Sequence, residues 1–194
     1  MPGRSTSKQA RTLAAPPLMS DVETLRDRAR QHISDGAVTK GYDGDPQAAV
    51  RLLNAALATE LVCVLRYKRH YFMARGIHAG PVASEFLEHA GEEQGHADRI
   101  AERIVQLGGA PDFTPDSLAS RAHSEYVEGV TLVDMIKEDL VAERIAIDSY
   151  REMIAYFSPF DPTTRAMLEE ITANEEEHAN DLVDLLQNLP KDLA

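Results

Sequence analysis

The sequence predicts an all-α protein: a four-helix bundle with one long crossover, preceded by a short N-terminal helix and a flexible tail. Three observations support this class. Four long stretches repeat apolar residues every three or four positions, as the buried face of a helix does. Gly and Pro residues lie mostly between these stretches, where they end helices. The connections between the stretches are short, long and short, so the two halves of the chain share one layout.

Composition narrows the class of protein further. The chain has 194 residues, of which 43% are hydrophobic, and no Trp, which suits one helical domain with a buried core. No stretch approaches about 18 uninterrupted apolar residues, and no signal-peptide core is present, so we expect a cytoplasmic protein with no membrane contact. The single cysteine, Cys63, cannot form an internal disulfide. The net charge of −12 argues against nucleic-acid binding by the main body and suits a protein that attracts cations.

Two segments precede the bundle. Residues 1–19 contain three basic residues and no acidic one, which predicts a flexible, weakly basic tail. Such a tail either has no function or holds DNA phosphates or a partner. Residues 20–45 are predicted to form a short helix and a linker. The helix would start with a capping box between Ser20 and Glu23 and end before Gly36.

The bundle, residues 46–194, begins with two helices joined by a short turn. An Asp in the N-cap position followed by Pro46 predicts the start of the first long helix, which should run to Arg75. The second helix is predicted from near Pro81 to the glycine pair that begins at Gly108. Because only a few residues separate the two helices, we expect them to be antiparallel neighbours.

A longer connection leads to the second pair of helices. It spans about residues 108–130, long enough to run back along the bundle, and residues 116–126 within it are predicted as a short helix. A capping box of the form T-x-x-D at Thr131 opens the third long helix, which should end before Ser158. A second Asp-Pro pair announces the fourth helix, predicted over 162–189.

A metal-ligand pattern occurs twice, once in each half of the bundle. A lone Glu lies on the buried stripe of the first helix of each pair, and a Glu-x-x-His follows on the second, 33 positions later in one half and 32 in the other. The residues are Glu60, Glu93 and His96 in the first half and Glu143, Glu175 and His178 in the second. Side chains three positions apart share a helix face, so each Glu-x-x-His directs a carboxylate and an imidazole the same way. One such motif is a weak signal, whereas the doubled spacing is a strong one.

These six residues have the chemistry of a two-metal site. A carboxylate inside a helical core is costly unless it is paired, protonated or bound to a metal, and no Lys or Arg lies on the same stripes. Two lone Glu residues and two Glu-x-x-His motifs, one from each of four helices, are the ligand set of di-iron and di-manganese carboxylate bundles. Oxygen ligands with one imidazole per metal suit iron, manganese or zinc. We expect each lone Glu to complete one metal with the His of its half, and the two motif Glu residues to bridge the metals.

Two tyrosines extend the repeated pattern. Tyr67 and Tyr150 each lie seven positions, or two helical turns, after the lone Glu of their half. Both are therefore predicted near the metals, as hydrogen-bond partners or as electron donors when oxygen is reduced. The alternative is a core aromatic side chain whose hydroxyl is satisfied elsewhere.

Other polar residues of the bundle are not predicted to be metal ligands. His89 lies four positions before Glu93 and could share its face, but a partly exposed histidine is the favoured prediction. His70 has no partner pattern. Glu88, Glu92 and Glu102 are predicted to form a solvated helix face rather than a surface where iron gathers.

On these residues the chain resembles the bacterioferritins, within the ferritin-like superfamily, over about residues 46–189. The likeness includes the segments LLNAALATELVCVLRY, EEQGHADRIAERIVQLGGAPDF and MLEEITANEEEHANDLVDLL. The resemblance implies a ferritin-like four-helix bundle that oxidises Fe(II) with O2 or H2O2 at a di-iron ferroxidase centre and stores the ferric mineral in a hollow cage. It also implies that the six motif residues are the iron ligands, and Tyr67 matches the tyrosine that the family has near the centre.

Departures from that family add further expectations. Gln94 stands where haem-binding bacterioferritins have Met, so no haem is expected. The sequence ends at Ala194, just after the fourth helix, without the fifth helix that closes a channel in the 24-subunit cage. A basic tail without a fifth helix resembles the 12-subunit mini-ferritins that protect DNA. We therefore expect a homo-oligomer, a 12-mer or another cage, with DNA as a candidate partner of the tail.

Two other classes of function fit the same sequence. The two-metal site could serve a rubrerythrin-like peroxidase or a manganese catalase, although rubrerythrins usually add a Cys-rich iron site that one cysteine cannot supply. The bundle could also be a DNA-binding or scaffolding shell that metal only stabilises. Retained mineral after iron loading would favour storage over both.

Overall fold

The structure is a computed structural model that describes residues 19–31, 33 and 36–190. All regular elements in these ranges are helical, which confirms the predicted all-α class. Contacts divide the chain into two units, Met1–Ser34 and Asp35–Ala194, and each is described by itself. The helices are α1 (Val22–Arg30), α2 (Pro46–Met73), α3 (Ala79–Gln106), α4 (Leu118–Arg121), α5 (Leu132–Phe157) and α6 (Pro162–Asn188), with a 3-10 turn at Pro115–Ser117.

The first unit contains α1, whose N-cap differs from the prediction. Asp21 rather than Ser20 caps the helix, and its carboxylate accepts hydrogen bonds from the backbone N–H and the hydroxyl of Thr24. A carboxylate is also favoured by the positive end of the helix dipole. The helix ends at Arg30, and none of its side chains is buried. The predicted tail, residues 1–19, lies outside the described residues apart from its last residue.

The helix α2 supplies much of the bundle core. Asp45 caps it and Pro46 occupies its first turn, as predicted. It ends at Met73 rather than at Arg75, and the chain reverses at Gly76, whose φ of +106° suits a residue without a Cβ atom. By length and composition α2 could cross a membrane, but 56% of its most apolar window is buried inside the bundle. Its apolar character is therefore that of a core helix.

The helix α3 packs along α2 after a short turn. It begins at Ala79, two residues before the predicted start at Pro81. Pro81 then lies in the first turn, where a backbone N–H has no partner within the helix, so the proline removes no hydrogen bond. Its last residue is Gln106, and Gly108 follows with a φ of +79°.

The crossover between α3 and α5 contains less helix than predicted. Of residues 116–126, only the 3-10 turn and the four residues of α4 are helical. Side chains of α2 hold the remainder: Thr59 Oγ1 accepts from the His123 backbone N–H at 2.9 Å, and Arg66 donates to the Glu125 carbonyl at 2.9 Å. These bonds fix a segment that has little regular structure of its own.

The last two long helices start with the predicted caps. Thr131 and Asp134 form the capping box of α5, with reciprocal hydrogen bonds of 3.0 and 3.1 Å. Asp161 caps α6 by accepting from the backbone N–H of Thr164 at 2.9 Å. The same carboxylate accepts from Arg103 at 2.9 Å, and that guanidinium is only 8% exposed. One carboxylate thus serves as a helix cap and as half of a buried ion pair.

Two apolar clusters fill the bundle, one on each side of its middle. The first includes Leu53, Leu57, Ile100, Ile104, Tyr150, Phe157, Leu168 and Ile171. The second includes Tyr67, Val82, Phe86, Ile136, Leu140 and Leu182. On α2 the buried residues of the first cluster end at Leu57 and those of the second start at Cys63, so Glu60 falls in the gap between them. The same gap occurs on the other three long helices, and it defines the layer where the candidate site lies.

Replacing Asp161 with Ala should destabilise the protein by ~3–5 kcal/mol, because it leaves the buried Arg103 guanidinium without its carboxylate. Losing the cap adds about 1 kcal/mol. The matched control is Asp45→Ala, which removes the N-cap of α2. Since the Asp45 side chain is 58% exposed, that variant should lose only about 1 kcal/mol. Denaturant titrations give both free energies of unfolding, and equal losses would contradict the importance of the buried pair.

Candidate metal centre

Four carboxylates and two imidazoles meet in the gap between the apolar clusters. Each long helix contributes one carboxylate, and α3 and α6 contribute one imidazole each. The carboxylates are at most 1% exposed and the imidazole residues at most 4%. The six residues are Glu60, Glu93, His96, Glu143, Glu175 and His178. The helical periodicity that buries the neighbouring apolar residues also places these polar ones inside the bundle.

Two carboxylates lie between the two histidines. Glu93 directs Oε2 towards His96 Nδ1 at 3.5 Å and Oε1 towards His178 Nδ1 at 3.6 Å. Glu175 divides its oxygens in the same way, with 3.1 Å from Oε1 to His96 and 3.3 Å from Oε2 to His178. Each of these carboxylates therefore offers one oxygen to each side, as a ligand that bridges two ions does.

The two lone carboxylates lie at opposite ends of the cluster. Glu60 Oε2 is 3.5 Å from His96 Nδ1, and Glu143 Oε2 is 3.9 Å from His178 Nδ1. The donor atoms form two adjacent sets, and within each set they all lie within 4.8 Å of one another. The sets are Glu60, Glu93, His96 and Glu175, and Glu93, Glu143, Glu175 and His178.

Most donor atoms of the cluster have no hydrogen-bond partner among the described residues. These eight atoms are both oxygens of Glu60 and Glu175, one oxygen each of Glu93 and Glu143, and Nδ1 of His96 and His178. Buried polar atoms in proteins are nearly always paired, and each unpaired one costs about 1–3 kcal/mol. Electron-pair donors that converge without hydrogen-bond partners of their own fit a cation. A pair of metal ions of the iron, manganese or zinc type fits this donor set.

Burial and mutual repulsion shift the ionisation of the cluster. Burial and the neighbouring carboxylates raise the pKa of Glu60 and Glu143 well above the ordinary value. Burial also opposes the charge on Glu93, but its contacts with Glu60 and the histidines hold its pKa well below the usual range. Despite burial, the carboxylates raise the pKa of His178 to about 12 and that of His96 in the same direction. The metal-free cluster therefore holds protons that a bound cation must displace.

The two tyrosines of the repeated pattern have different surroundings. Tyr67 is fully buried and donates a short hydrogen bond to Glu143, the lone carboxylate of the other half. Burial and the charge of Glu143 raise the pKa of Tyr67 well above its usual value, so the phenol keeps its proton. Tyr150 is also fully buried, but its hydroxyl has no partner among the described residues and its ring packs in the first apolar cluster. Of the two tyrosines, Tyr67 is therefore the one that is hydrogen-bonded to a candidate ligand in the described part of the chain.

Two residues beside the cluster were not predicted as part of it. His89, predicted to be partly exposed, is 1% exposed, and its ring stacks on that of His178 with 4.0 Å between centroids. Its Nδ1 lies 3.2 Å from the Tyr67 hydroxyl oxygen. Burial and the charge of His178 lower the pKa of His89 to about 4. Glu92 is 45% exposed, as predicted, and its carboxylate also lies 2.7 Å from His178 Nε2. The sequence signal for His89 was its spacing of four from Glu93, and the signal for Glu92 was its place on an acidic helix face where iron could gather.

A second buried charge network corrects the prediction for His70. Asp139 accepts from Arg66 Nε at 2.8 Å and lies 2.7 Å from His70 Nδ1. The other ring nitrogen of His70 is 2.8 Å from the Glu128 carbonyl. All three charged or titratable side chains are at most 1% exposed. Because these groups are paired, the network joins α2, α5 and the crossover and needs no ligand.

The chain is similar to known proteins over most of its length. Residues 50–192 match the family model Ferritin, which describes a ferritin-like domain. The bacterioferritin of Mycobacterium avium is 30% identical over 149 residues, 76% of this chain and 89% of that protein. A nutrient stress-induced DNA-binding protein of Synechococcus sp. is 32% identical over 130 residues, 66% of this chain and 74% of that protein. The solved dodecameric thioferritin of Bacteroides fragilis, a bacterioferritin-related protein, has a TM-score of 0.72 at 34% identity and covers 74% of this chain and 87% of its own.

Metal binding should stabilise the protein, because a cation offsets the unpaired buried carboxylates. Adding Zn²⁺ to chelator-treated protein is expected to raise the melting temperature, since a ligand at a hundred times its Kd adds about 2.7 kcal/mol. Glu175→Ala removes a carboxylate that both donor sets share and should lose most of this shift. Glu169→Ala removes a side chain from the same helix that is 49% exposed and should keep it. An equal shift in both variants would contradict the assignment of the cluster.

Proposed function

The chain belongs to the ferritin family of ferritin-like domains, and on that basis we propose that it is a ferroxidase that oxidises Fe(II) at the six-residue cluster for iron storage and detoxification. The observation that carries the proposal is the set of eight buried donor atoms without hydrogen-bond partners. Iron storage and ferroxidase chemistry belong to this family as a whole. The two-iron centre of this particular chain is the proposal.

Fe(II) is the substrate, and the six side chains divide between two ions. Glu60 and His96 would complete one iron, and Glu143 and His178 the other. Glu93 and Glu175 would bridge the pair, and this assignment rests on the way their oxygens divide between the histidines. Manganese or zinc would suit the same ligands, but zinc has no redox chemistry and would act as an inhibitor.

The reaction needs the two irons, an oxidant and two protons. Two Fe(II) ions give up one electron each, and these electrons with two protons convert O2 to H2O2, or H2O2 to two molecules of water. The protein contributes by holding both irons together, so that both electrons reach one oxidant molecule. Hard anionic oxygen ligands also favour the higher charge of Fe(III). Buried carboxylates thus suit both the binding of the substrate and the product.

We also assign a role to Tyr67, which lies beside the ligands. Its hydrogen bond orients Glu143, and its position beside the cluster suits an electron donor when the oxidant takes more electrons than two irons supply. Tyr150 was predicted to have the same role. The support for it is its position alone, because its hydroxyl makes no hydrogen bond to a described residue.

The proposal includes a cytoplasmic homo-oligomeric shell, a 12-mer or another cage. The dodecameric relative from Bacteroides fragilis supports the smaller shell. The bundle also exposes large apolar side chains that contacts between subunits would cover, including Leu65, Phe72, Ile77, Leu87, Val105 and Val141.

Haem is not part of the proposal. Gln94 stands at the position where haem-binding bacterioferritins have Met, and its side-chain amide donates a hydrogen bond to Asp98 at 2.9 Å.

A DNA-protecting mini-ferritin shell is the second candidate function. The 32% identity to the Synechococcus DNA-binding protein favours it. The whole chain has a net charge of −12 although its tail is basic, so the main body repels DNA and the tail would have to hold it. Deleting residues 1–19 should then abolish DNA retention in a mobility-shift assay and leave iron oxidation unchanged. Retention that survives the deletion, or that does not weaken with added salt, would exclude this role of the tail.

The ferroxidase proposal is tested by aerobic Fe(II) oxidation in the purified apo-protein, followed as ferric absorbance. Wild type should rapidly oxidise about two irons per chain, whereas Glu93→Ala and His178→Ala should lose at least about tenfold in rate. Glu102→Ala removes an exposed carboxylate from α3 and should oxidise iron like wild type.

The size of the iron-loaded particle, measured on the same sample, tests storage. A hollow particle that retains mineral would support it. Oxidation no faster than in buffer, or unchanged in Glu93→Ala and His178→Ala, would overturn the ferroxidase proposal. A di-metal peroxidase or a manganese catalase would then be the better assignment, to be tested with Mn²⁺ and H2O2.

A further inference from the structure

Three side chains outside the six ligands converge beside the cluster. Glu85 and His89 lie four positions apart on one face of α3, and Asp181 faces them from α6. His89 Nε2 is 3.4 Å from Glu85 Oε1 and 3.8 Å from Asp181 Oδ2. One donor atom from each residue lies within 4.8 Å of the other two. These residues, called here the α3–α6 trio, contain two carboxylates and a histidine that is 98% buried, its side chain being 2% exposed.

The hydrogen bonds of His89 determine which nitrogen faces the trio. The Tyr67 hydroxyl donates its only proton to Glu143, so its oxygen accepts the hydrogen bond from His89 Nδ1–H at 3.2 Å. In a neutral imidazole the other nitrogen then carries a lone pair. That atom, Nε2, makes no hydrogen bond to any described residue. The Nε2 lone pair of this buried side chain therefore points towards two carboxylates.

Three electron-pair donors that face one another repel, unless a cation lies between them. Ligands about 2.1 Å from a metal in tetrahedral directions lie roughly 3.4 Å apart, and the distance from His89 to Glu85 has this value. A small rotation of Asp181 would close its 3.8 Å distance. Histidines that bind metals generally donate their other ring N–H to a partner, as His89 does to Tyr67. We propose that the α3–α6 trio is a mononuclear site for one divalent transition-metal ion, separate from the two-metal cluster.

The donor set and its exposure define the ion and its route. One imidazole with two carboxylates suits Fe(II), Mn(II) or Zn(II), and three protein ligands leave a position for water and for exchange. The Glu85 side chain is 30% exposed and that of Asp181 is 43% exposed, so an ion reaches the trio from solvent. The hydrogen bonds from His89 through Tyr67 to Glu143 connect this ion to the two-metal cluster. The trio thus holds a third ion at the solvent side of the centre.

The test counts Zn²⁺ ions bound to the full chain by equilibrium dialysis and metal analysis, with excess Mg²⁺ present to occupy solvated carboxylates. Wild type should bind about three Zn²⁺ ions per chain, and Asp181→Asn and Glu85→Gln about two. Asp184→Asn makes the same chemical change at an exposed position one turn further along α6, and it should keep three. In crystals soaked with Zn²⁺, the anomalous signal between Glu85, His89 and Asp181 should disappear in Asp181→Asn.

The outcomes separate this inference from the proposed function. Two ions in wild type that are unaffected by Asp181→Asn, or loss of the third ion in Asp184→Asn as well, would overturn the trio and leave the ferroxidase proposal standing. A different result is one Zn²⁺ ion per wild-type chain that is lost in Asp181→Asn. That result would support the trio and remove the two-metal centre on which the ferroxidase rests.

Discussion

The main constraint on this fold is that four carboxylates and two imidazoles share one buried layer of a helical bundle. Taking a charge out of water costs several kcal/mol per ion, so the rest of the molecule must hold the helices together without help from this layer. Apolar clusters above and below the layer supply that packing. The caps of α5 and α6 and the buried ion pair at Asp161 fix the helix ends. In the proposed ferroxidase the layer is a preformed cation site, because its donors are already gathered before any ion arrives.

Some buried charged groups in this protein have hydrogen-bond partners and others do not, and this difference distinguishes structural groups from candidate functional ones. Around Asp139, Arg66 and His70 have partners for the nitrogens that face the core, and the network connects helices to the crossover. In the layer around Glu93 and Glu175, the same kinds of group are equally buried but lack partners. Evolution of a purely structural core would pair or remove such groups, since each costs free energy. The unpaired set therefore indicates a ligand, and the paired set indicates a structural role.

The sequence predicted what depends on local spacing and missed what depends on neighbouring helices. The all-helical class, the long crossover and the caps at Asp45 and Thr131 follow from periodicity and from a few residue types near each helix end. The Glu-x-x-His motifs were visible for the same reason. The burial of His89 was missed, because the rings and carboxylates that cover it come from α2 and α6 as well as from its own helix. The pairing of His70 with Asp139 joins residues 69 positions apart, and neither has a motif of its own.

The two halves of the bundle repeat the ligand motif but not its surroundings, and this asymmetry gives the centre a direction. The position of His89, four residues before the motif Glu, is occupied in the second half by Ile171, which is fully buried in the first apolar cluster. The tyrosines differ in the same sense, since Tyr67 is hydrogen-bonded to a ligand and Tyr150 is surrounded by apolar side chains. Polar contacts therefore extend from the layer towards solvent on the side of His89, while hydrocarbon closes the side of Ile171. If the layer binds metal as proposed, a cation from the side of His89 meets the carboxylates of Glu85 and Asp181. On the side of Ile171 it would lose its hydration without compensation.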